Sequence, residues 1–258
     1  MILEVKNLSV NYGNKKILDN VNFELERGEI LVIAGESGSG KSTILKAIDG
    51  LLGGNGRISG GKIIFNGVDI TKLNGEERRK ISGAEIAMIF QNSGASFCPI
   101  RTIGEQIFES VVEHQNLTEK DFRKKAEVIM KNINLPASTL DEFPFRLSGG
   151  MSQRAGILAA MILNPKLLLA DEPTSALDTV TQVSVVKELI DLRKRDGISI
   201  IMVTHHMGIA WYMANKILIM KDGKAVEYGD KEKIFNNPQE IYTRELINAV
   251  PRFDKRSA

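Results

Sequence analysis

The chain has 258 residues, with 34 Lys and Arg against 32 Asp and Glu, and 43% of its residues are hydrophobic. This composition is typical of a globular protein and excludes disordered and collagen-like chains. The formal charge of +2 and the aromatic share of 6% give no sign of a basic, base-stacking surface, so we predict no nucleic-acid partner.

The N-terminal residues and the apolar stretches give a first expectation of where the protein works. The start, MILEVKNLSV, alternates apolar and polar residues, unlike a secretory signal. The most apolar stretch, 156–170, is shorter than the ~20 residues that a membrane-spanning helix needs. We therefore expect a cytosolic protein. Cys98 is the only cysteine, which excludes an internal disulfide, and we expect it to be a small packed thiol.

The first strands are predicted from period-two patterns. Residues 2–10 and 21–25 alternate apolar and polar side chains, which is typical of half-exposed strands in an antiparallel sheet. Residues 62–70, with Asn66-Gly67 at the centre, indicate a hairpin of that sheet. Four other segments are continuous apolar runs, as expected of parallel strands covered on both faces: 30–34, 86–90, 167–170 and 198–204.

Helices are predicted at 41–50, 179–195 and 207–214, and their placement after apolar strands favours an α/β core. Between Gln91 and Pro165 the pattern changes, and a capping-box sequence at 118–121 precedes apolar residues at helical spacing. A short helix is predicted at 239–249. We predict one catalytic unit over 1–258, divided as follows: a core of 1–90 and 166–230 that includes the antiparallel sheet, a helical subdomain of 91–165 and a C-terminal tail of 231–258.

A glycine-rich loop stands between the strand at 30–34 and the helix at 41–50. Its sequence, GESGSGKS, matches G-x-x-x-x-G-K-[ST], in which backbone N–H groups and the positive end of the next helix face a phosphate. Lys41 would contact the β and γ phosphates of a nucleotide, either ATP or GTP, and the Ser42 hydroxyl would bind Mg²⁺. The predicted nucleotide contacts in this region are Gly35, Ser37, Gly38, Ser39, Gly40, Lys41, Ser42 and Thr43.

Two adjacent carboxylates, Asp171 and Glu172, follow the strand at 167–170. The carboxyl end of such a strand lies where α/β sheets bind their ligands. Asp171 is suited to hold Mg²⁺ directly or through water, and Glu172 to polarise the water that attacks the γ-phosphate. The alternative is that the acidic pair only caps a helix.

A third motif, LSGG at 147–150, stands in a glycine-rich turn before a predicted helix. With it, the chain resembles the nucleotide-binding subunit of ATP-binding cassette (ABC) transporters, whose motifs it matches in order over almost its whole length. The other matches are Gln91 of the Q-loop, SALD at 175–178 of the D-loop, and the switch histidine His205. The resemblance implies a P-loop NTPase core with a parallel sheet, an N-terminal antiparallel β subdomain and an inserted helical subdomain.

The resemblance also implies roles for single residues. Tyr12 would stack on adenine, and the weaker alternative is a half-buried strand tyrosine. Gln91 would sense Mg²⁺ and the attacking water, and His205 would contact the γ-phosphate. Catalysis is thus assigned to Glu172, His205 and Gln91, and Mg²⁺ binding to Ser42, Gln91 and Asp171.

Pairing of two cassettes is a further implication. In this family two cassettes associate head to tail, so Ser148, Gly149 and Gly150 would cap the γ-phosphate bound by the partner, and Asp178 would contribute from the D-loop. The implied partners are a second ABC ATPase subunit, two transmembrane permease subunits and, indirectly, an extracytoplasmic substrate-binding protein. The implied location is the cytoplasmic face of the cell membrane.

Two positions depart from the commonest family pattern: Met151 replaces the glutamine that usually closes the signature, and His206 replaces the aspartate that usually follows the switch histidine. Met151 and the tail sequence NPQEIYTREL at 237–246 resemble the branch that imports peptides and nickel. Peptide importers commonly continue into a cysteine-bearing extension, whereas this sequence ends at Ala258 with Cys98 as its only cysteine. We therefore expect nickel or metal-chelate import, with oligopeptide or dipeptide import as the alternative. An ABC ATPase acting on DNA or the ribosome is a weaker alternative, and a small P-loop kinase or GTPase would lack LSGG.

Overall fold

The computed structural model describes residues 1–175 and 177–249. The strands of this part of the chain are β1 (Leu3–Tyr12), β2 (Lys15–Leu25), β3 (Ile30–Ala34), β4 (Gly56–Phe65), β5 (Val68–Asp69), β6 (Ile86–Ile89), β7 (Leu167–Asp171), β8 (Ser199–Val203), β9 (Lys216–Lys221) and β10 (Lys224–Asp230). The α-helices are α1 (Lys41–Asp49), α2 (Gly75–Ile81), α3 (Ile103–Val112), α4 (Glu119–Asn132), α5 (Gly149–Met161), α6 (Thr179–Asp196), α7 (Met207–Met213), α8 (Lys231–Asn236) and α9 (Ile241–Asn248).

The central sheet has the order β10-β9-β3-β8-β7-β6, and its strands run parallel except β10. Successive residues of its buried strands enter different cores. Leu31 and Ile33 pack with α1 and the antiparallel sheet, whereas Ile30 and Val32 pack with the helices on the other face. Burial on both faces explains why these strands are continuous apolar runs rather than alternating ones.

The second sheet, in the order β2-β1-β4-β5, is antiparallel. Phe65 and Val68 pair across the predicted turn, where Asn66 and Gly67 both have positive φ angles, 49° and 82°. Such turns suit the twist of the adjoining strands, and Asn-Gly is a favoured sequence for them. The hairpin predicted at 62–70 is therefore confirmed.

Between β6 and β7 lie α3, α4 and α5, which form the region predicted to be helical. Thr118 caps α4 by accepting a hydrogen bond from the Asp121 N–H at 3.2 Å, and Phe108 packs on Phe122 with ring centroids 5.4 Å apart. The fold class is confirmed, with an α/β core, an antiparallel N-terminal sheet and a helical insertion. The exact domain boundaries stay predictions.

The expectation for Cys98 is wrong, because its thiol is exposed. The residue lies in the surface segment between β6 and α3, where the Gln106 side chain holds its backbone through hydrogen bonds of 2.7 and 3.1 Å. Neighbouring Phe97 packs against a core, but Cys98 itself belongs to neither of the two cores. The helix predicted at 239–249 is present as α9. Across residues 1–175 and 177–249, none of the helices combines the length and apolar character that crossing a bilayer requires.

Candidate nucleotide-binding and catalytic site

The phosphate loop joins β3 to α1, as the sequence predicts. Its backbone needs glycine at two positions. A Cβ on Gly35 (φ 147°) would come within 2.1 Å of the Met220 carbonyl oxygen, and one on Gly40 (φ 99°) within 2.6 Å of the Leu18 side chain. The loop thus curls tightly against β2 and β9, with the start of α1 at its open end, where a helix N-terminus favours an anion.

Lys41 is the first residue of α1, and its side chain folds back over the loop. Its Nζ donates to the carbonyl oxygens of Gly35 at 2.9 Å and Glu36 at 2.6 Å. Burial lowers the pKa of Lys41, while the carboxylates of Glu172, Asp171 and Glu36 oppose that change. The ammonium is therefore held at the mouth of the loop, where a phosphate could replace the carbonyl oxygens.

The acidic pair sits at the end of β7. The Ser42 hydroxyl donates to Asp171 Oδ1 at 2.8 Å, and burial, together with the neighbouring charge of Glu172, raises the pKa of Asp171 despite that hydrogen bond. Glu172 adopts a left-handed conformation with φ 45°, which costs about 1–3 kcal/mol in a residue other than glycine. The helix-cap alternative for the pair is wrong, because Asp178 caps the next helix, α6.

Three predicted catalytic residues meet at Glu172, although they come from the ends of three different strands. Glu172 Oε2 lies 3.4 Å from Gln91 Nε2 and 3.4 Å from His205 Nδ1. These residues and the phosphate loop line one open cavity of about 570 Å³. Its lining residues are Ile17, Ser37, Gly38, Gly40, Lys41, Ser42, Thr43, Gln91, Glu172 and His205.

The chemistry of three donors fits Mg²⁺: Ser42 and Gln91 line the cavity, and Asp171 is hydrogen-bonded to Ser42. A hydroxyl (Ser42), a carboxylate (Asp171) and an amide (Gln91) supply the hard oxygen ligands that Mg²⁺ takes, usually together with substrate phosphates and water. Within the described ranges no group of three or more His, Cys, Asp or Glu side chains could hold a metal ion.

The remaining predicted contacts lie away from this cavity. Tyr12, at the end of β1, is half-buried and packs over Gly56, where an added Cβ would lie 2.8 Å from its ring. Ser148 caps α5 through the Met151 N–H at 3.3 Å, and the carboxylate of Asp178 is occupied by the first turn of α6.

The signature residues adjoin the start of α6. A Cβ on Gly149 would lie 3.7 Å from Leu177, and one on Gly150 would lie 3.1 Å from Thr181. The signature residues do not line the cavity beside the phosphate loop of their own chain. The roles of Tyr12, Asp178 and the signature residues stay predictions.

Two neighbours of the site were not assigned by sequence. Ile17 of β2 lines the cavity, but an isolated apolar residue in a strand carries no motif that could reveal this. His206 lies beside His205, with ring centroids 4.1 Å apart. Burial and the charge of His205 lower the pKa of His206, so the neutral imidazole is favoured next to the switch histidine.

Comparison with known proteins gives matches over most of the chain. The family model described as ABC transporter matches residues 18–175, and the model for the oligopeptide/dipeptide transporter, C-terminal region, matches residues 226–258. The dipeptide transport ATP-binding protein DppD of Escherichia coli is 40% identical over 98% of this chain and 79% of its own length.

Two further proteins extend these similarities. The metal-staphylopine import system ATP-binding protein CntD of Staphylococcus aureus is 36% identical over 98% of this chain and 94% of its own length. A solved dimeric ATP-binding cassette in a post-hydrolysis state, bound to ADP and Pi, superposes with a TM-score of 0.79 at 29% identity, covering 89% of this chain and 98% of that one. The chain therefore belongs to the ABC transporter family, as an ATP-binding cassette.

Proposed function

We propose that this chain is the ATP-hydrolysing subunit of an ABC importer of oligopeptides or dipeptides. The observation that carries the ATPase assignment is the position of the Glu172 carboxylate, which stands between Gln91 and His205 at the mouth of the phosphate loop. There it can take the proton of a water that attacks the γ-phosphate. Lys41 would bind the phosphates, and His205 would contact the γ-phosphate from the end of β8.

Magnesium ions would be held by Ser42, Asp171 and Gln91, and would neutralise phosphate charge. Burial raises the pKa of Asp171, because desolvation disfavours the charged carboxylate. We propose Mg²⁺ as the metal that ATP brings to these residues.

Peptide cargo replaces nickel as the favoured proposal. The match to the oligopeptide/dipeptide transporter C-terminal region and the 40% identity to DppD favour peptides over nickel. The 36% identity to CntD supports import of a metal chelate as the second candidate.

The proposed partners follow from the family. A second cassette would pair head to tail with this one, so that Ser148, Gly149 and Gly150 close over its nucleotide, and the dimeric cassette that superposes on this chain supports such pairing. Two permease subunits would anchor the pair at the cytoplasmic face of the membrane, and a substrate-binding protein would deliver the cargo.

The test is co-expression of the chain with candidate permeases and a second cassette, followed by ATPase measurement in vesicles. We expect binding protein loaded with a dipeptide or oligopeptide to stimulate hydrolysis, and the same complex carrying Lys41→Ala to remain unstimulated. Stimulation by a metal chelate but not by peptide would select the second candidate. Failure of any cargo-loaded binding protein to stimulate an assembled, ATP-binding complex would refute import.

A further inference from the structure

The C-terminal helix α9 contacts the phosphate loop through Tyr242. The Tyr242 hydroxyl accepts a hydrogen bond from the Glu36 backbone N–H at 3.0 Å, across 206 positions of sequence. Tyr242 is only 8% exposed, and Lys221 Nζ, at the end of β9, lies 4.6 Å from the centroid of its ring. The phenol is therefore enclosed between α9, β9 and the loop.

Glu36 is the residue where the hydrogen bonds of the loop backbone converge. Its carbonyl oxygen accepts from Lys41 Nζ at 2.6 Å and from the Ser39 N–H at 3.2 Å, while its N–H donates to Tyr242. Both main-chain polar groups of Glu36 are thus fixed. The orientation of Glu36 also sets the position of the Lys41 ammonium, because that ammonium donates a hydrogen bond to the Glu36 carbonyl oxygen.

The neighbouring part of the loop is anchored from β9 and β10. Gly35 packs against the carbonyl of Met220, and the Gly223 N–H donates to the Ser39 carbonyl at 3.1 Å. Tyr242 extends this anchoring to the C-terminal helix. Burial raises the pKa of Tyr242, so the hydroxyl stays protonated and uncharged at neutral pH.

We propose that Tyr242 is a positioning residue for nucleotide binding, whose hydroxyl fixes the Glu36 backbone and so holds the phosphate loop in the conformation that accepts phosphate. The region that matches the C-terminal region of oligopeptide/dipeptide transporters would thereby set the ATP affinity of the core. Preorganisation of a binding loop raises affinity because the cost of ordering it is met before the ligand arrives. The inference rests on ATP binding at this loop, as proposed above.

The test uses Tyr242→Phe in the full chain, which keeps the buried ring and removes only the hydroxyl. We expect the Kd for Mg-ATP, measured by calorimetry, and the KM of the ATPase to rise about fivefold, equivalent to the roughly 1 kcal/mol of one hydrogen bond. The kcat should change less than twofold, because Glu172 and its neighbours are untouched.

Tyr228→Phe is the matched control. The Tyr228 hydroxyl donates to the Glu24 carbonyl at 2.6 Å and links β10 to β2, away from the phosphate loop. Its removal should lower thermal stability without changing the Kd for Mg-ATP. The control therefore separates loss of a buried hydroxyl from loss of loop positioning.

Two results would overturn the inference. One is an unchanged Kd for Tyr242→Phe, with a loss of thermal stability only. The other is an equal rise of Kd in both phenylalanine variants. Lys41→Ala is measured alongside. An unchanged Kd in that variant would refute the nucleotide site itself. A raised Kd would show that the loop binds Mg-ATP, so that an unchanged Kd for Tyr242→Phe would concern Tyr242 alone.

Discussion

A buried ion pair joins α5, which begins with the signature glycines, to α6, which follows Asp178. The Arg154 guanidinium donates to the Glu188 carboxylate at 2.9, 3.1 and 3.2 Å. The Ser184 hydroxyl completes the group, at 3.0 Å from both side chains. The side chains of Arg154 and Glu188 are only 15% and 5% exposed, respectively. We predict that Glu188→Gln destabilises the protein substantially, because it leaves the guanidinium buried without a counter-charge.

The size of the effect follows from burial. Removing one partner of a buried pair costs about 3–5 kcal/mol, but glutamine keeps one oxygen acceptor and Arg154 keeps some contact with water. We therefore expect a loss of roughly 2–3 kcal/mol in the free energy of unfolding. For a chain of this size each kcal/mol lowers Tm by roughly 2–4 °C, so Tm should fall by about 4–12 °C.

Thermal and urea unfolding followed by circular dichroism provide the measurement. Glu119→Gln is the matched control, since Glu119 pairs with Arg123 at 3.0 Å with side chains 63% and 39% exposed, and exposed pairs contribute about 0–1 kcal/mol. Replacing the buried pair by Arg154→Met with Glu188→Leu should restore much of the lost stability. If Glu188→Gln were no less stable than Glu119→Gln, the buried pair would not hold the two helices together.

Two further predictions concern Glu172 and Asp49. Glu172→Gln should lower ATP turnover about 10²- to 10⁴-fold while calorimetry still detects ATP binding; turnover within a fewfold of wild type would remove Glu172 as general base. Burial raises the pKa of Asp49 from 3.8 to about 6, against the charge of Arg78. Because the folded state then binds this proton more tightly than the unfolded state, stability should fall by up to about 3 kcal/mol as pH rises from about 4 to 6. Urea unfolding of Asp49→Asn over this range should lack that fall, and identical pH profiles for the variant and the wild type would contradict the prediction.

The structure also shows which predictions depended on neighbours in sequence and which on neighbours in space. The sequence predicts the turn at Asn66-Gly67 and the start of α1 at Lys41, because the residues that form a turn or a glycine-rich loop are contiguous in the chain. Strands β9 and β10 were not predicted. The exposure of Cys98 was also predicted wrongly, since the sequence of a surface segment does not state which core, if any, it faces.

The sequence by itself was enough to locate the phosphate loop, the acidic pair and the signature motif, because each is a short run of contiguous residues. Only the tertiary structure decided that Gln91, Glu172 and His205 share one cavity, since their contact requires β6, β7 and β8 to lie side by side in the sheet. It also decided that Tyr242 contacts Glu36. A contact between such distant residues is set by the packing of α9 on the core, which no local pattern encodes.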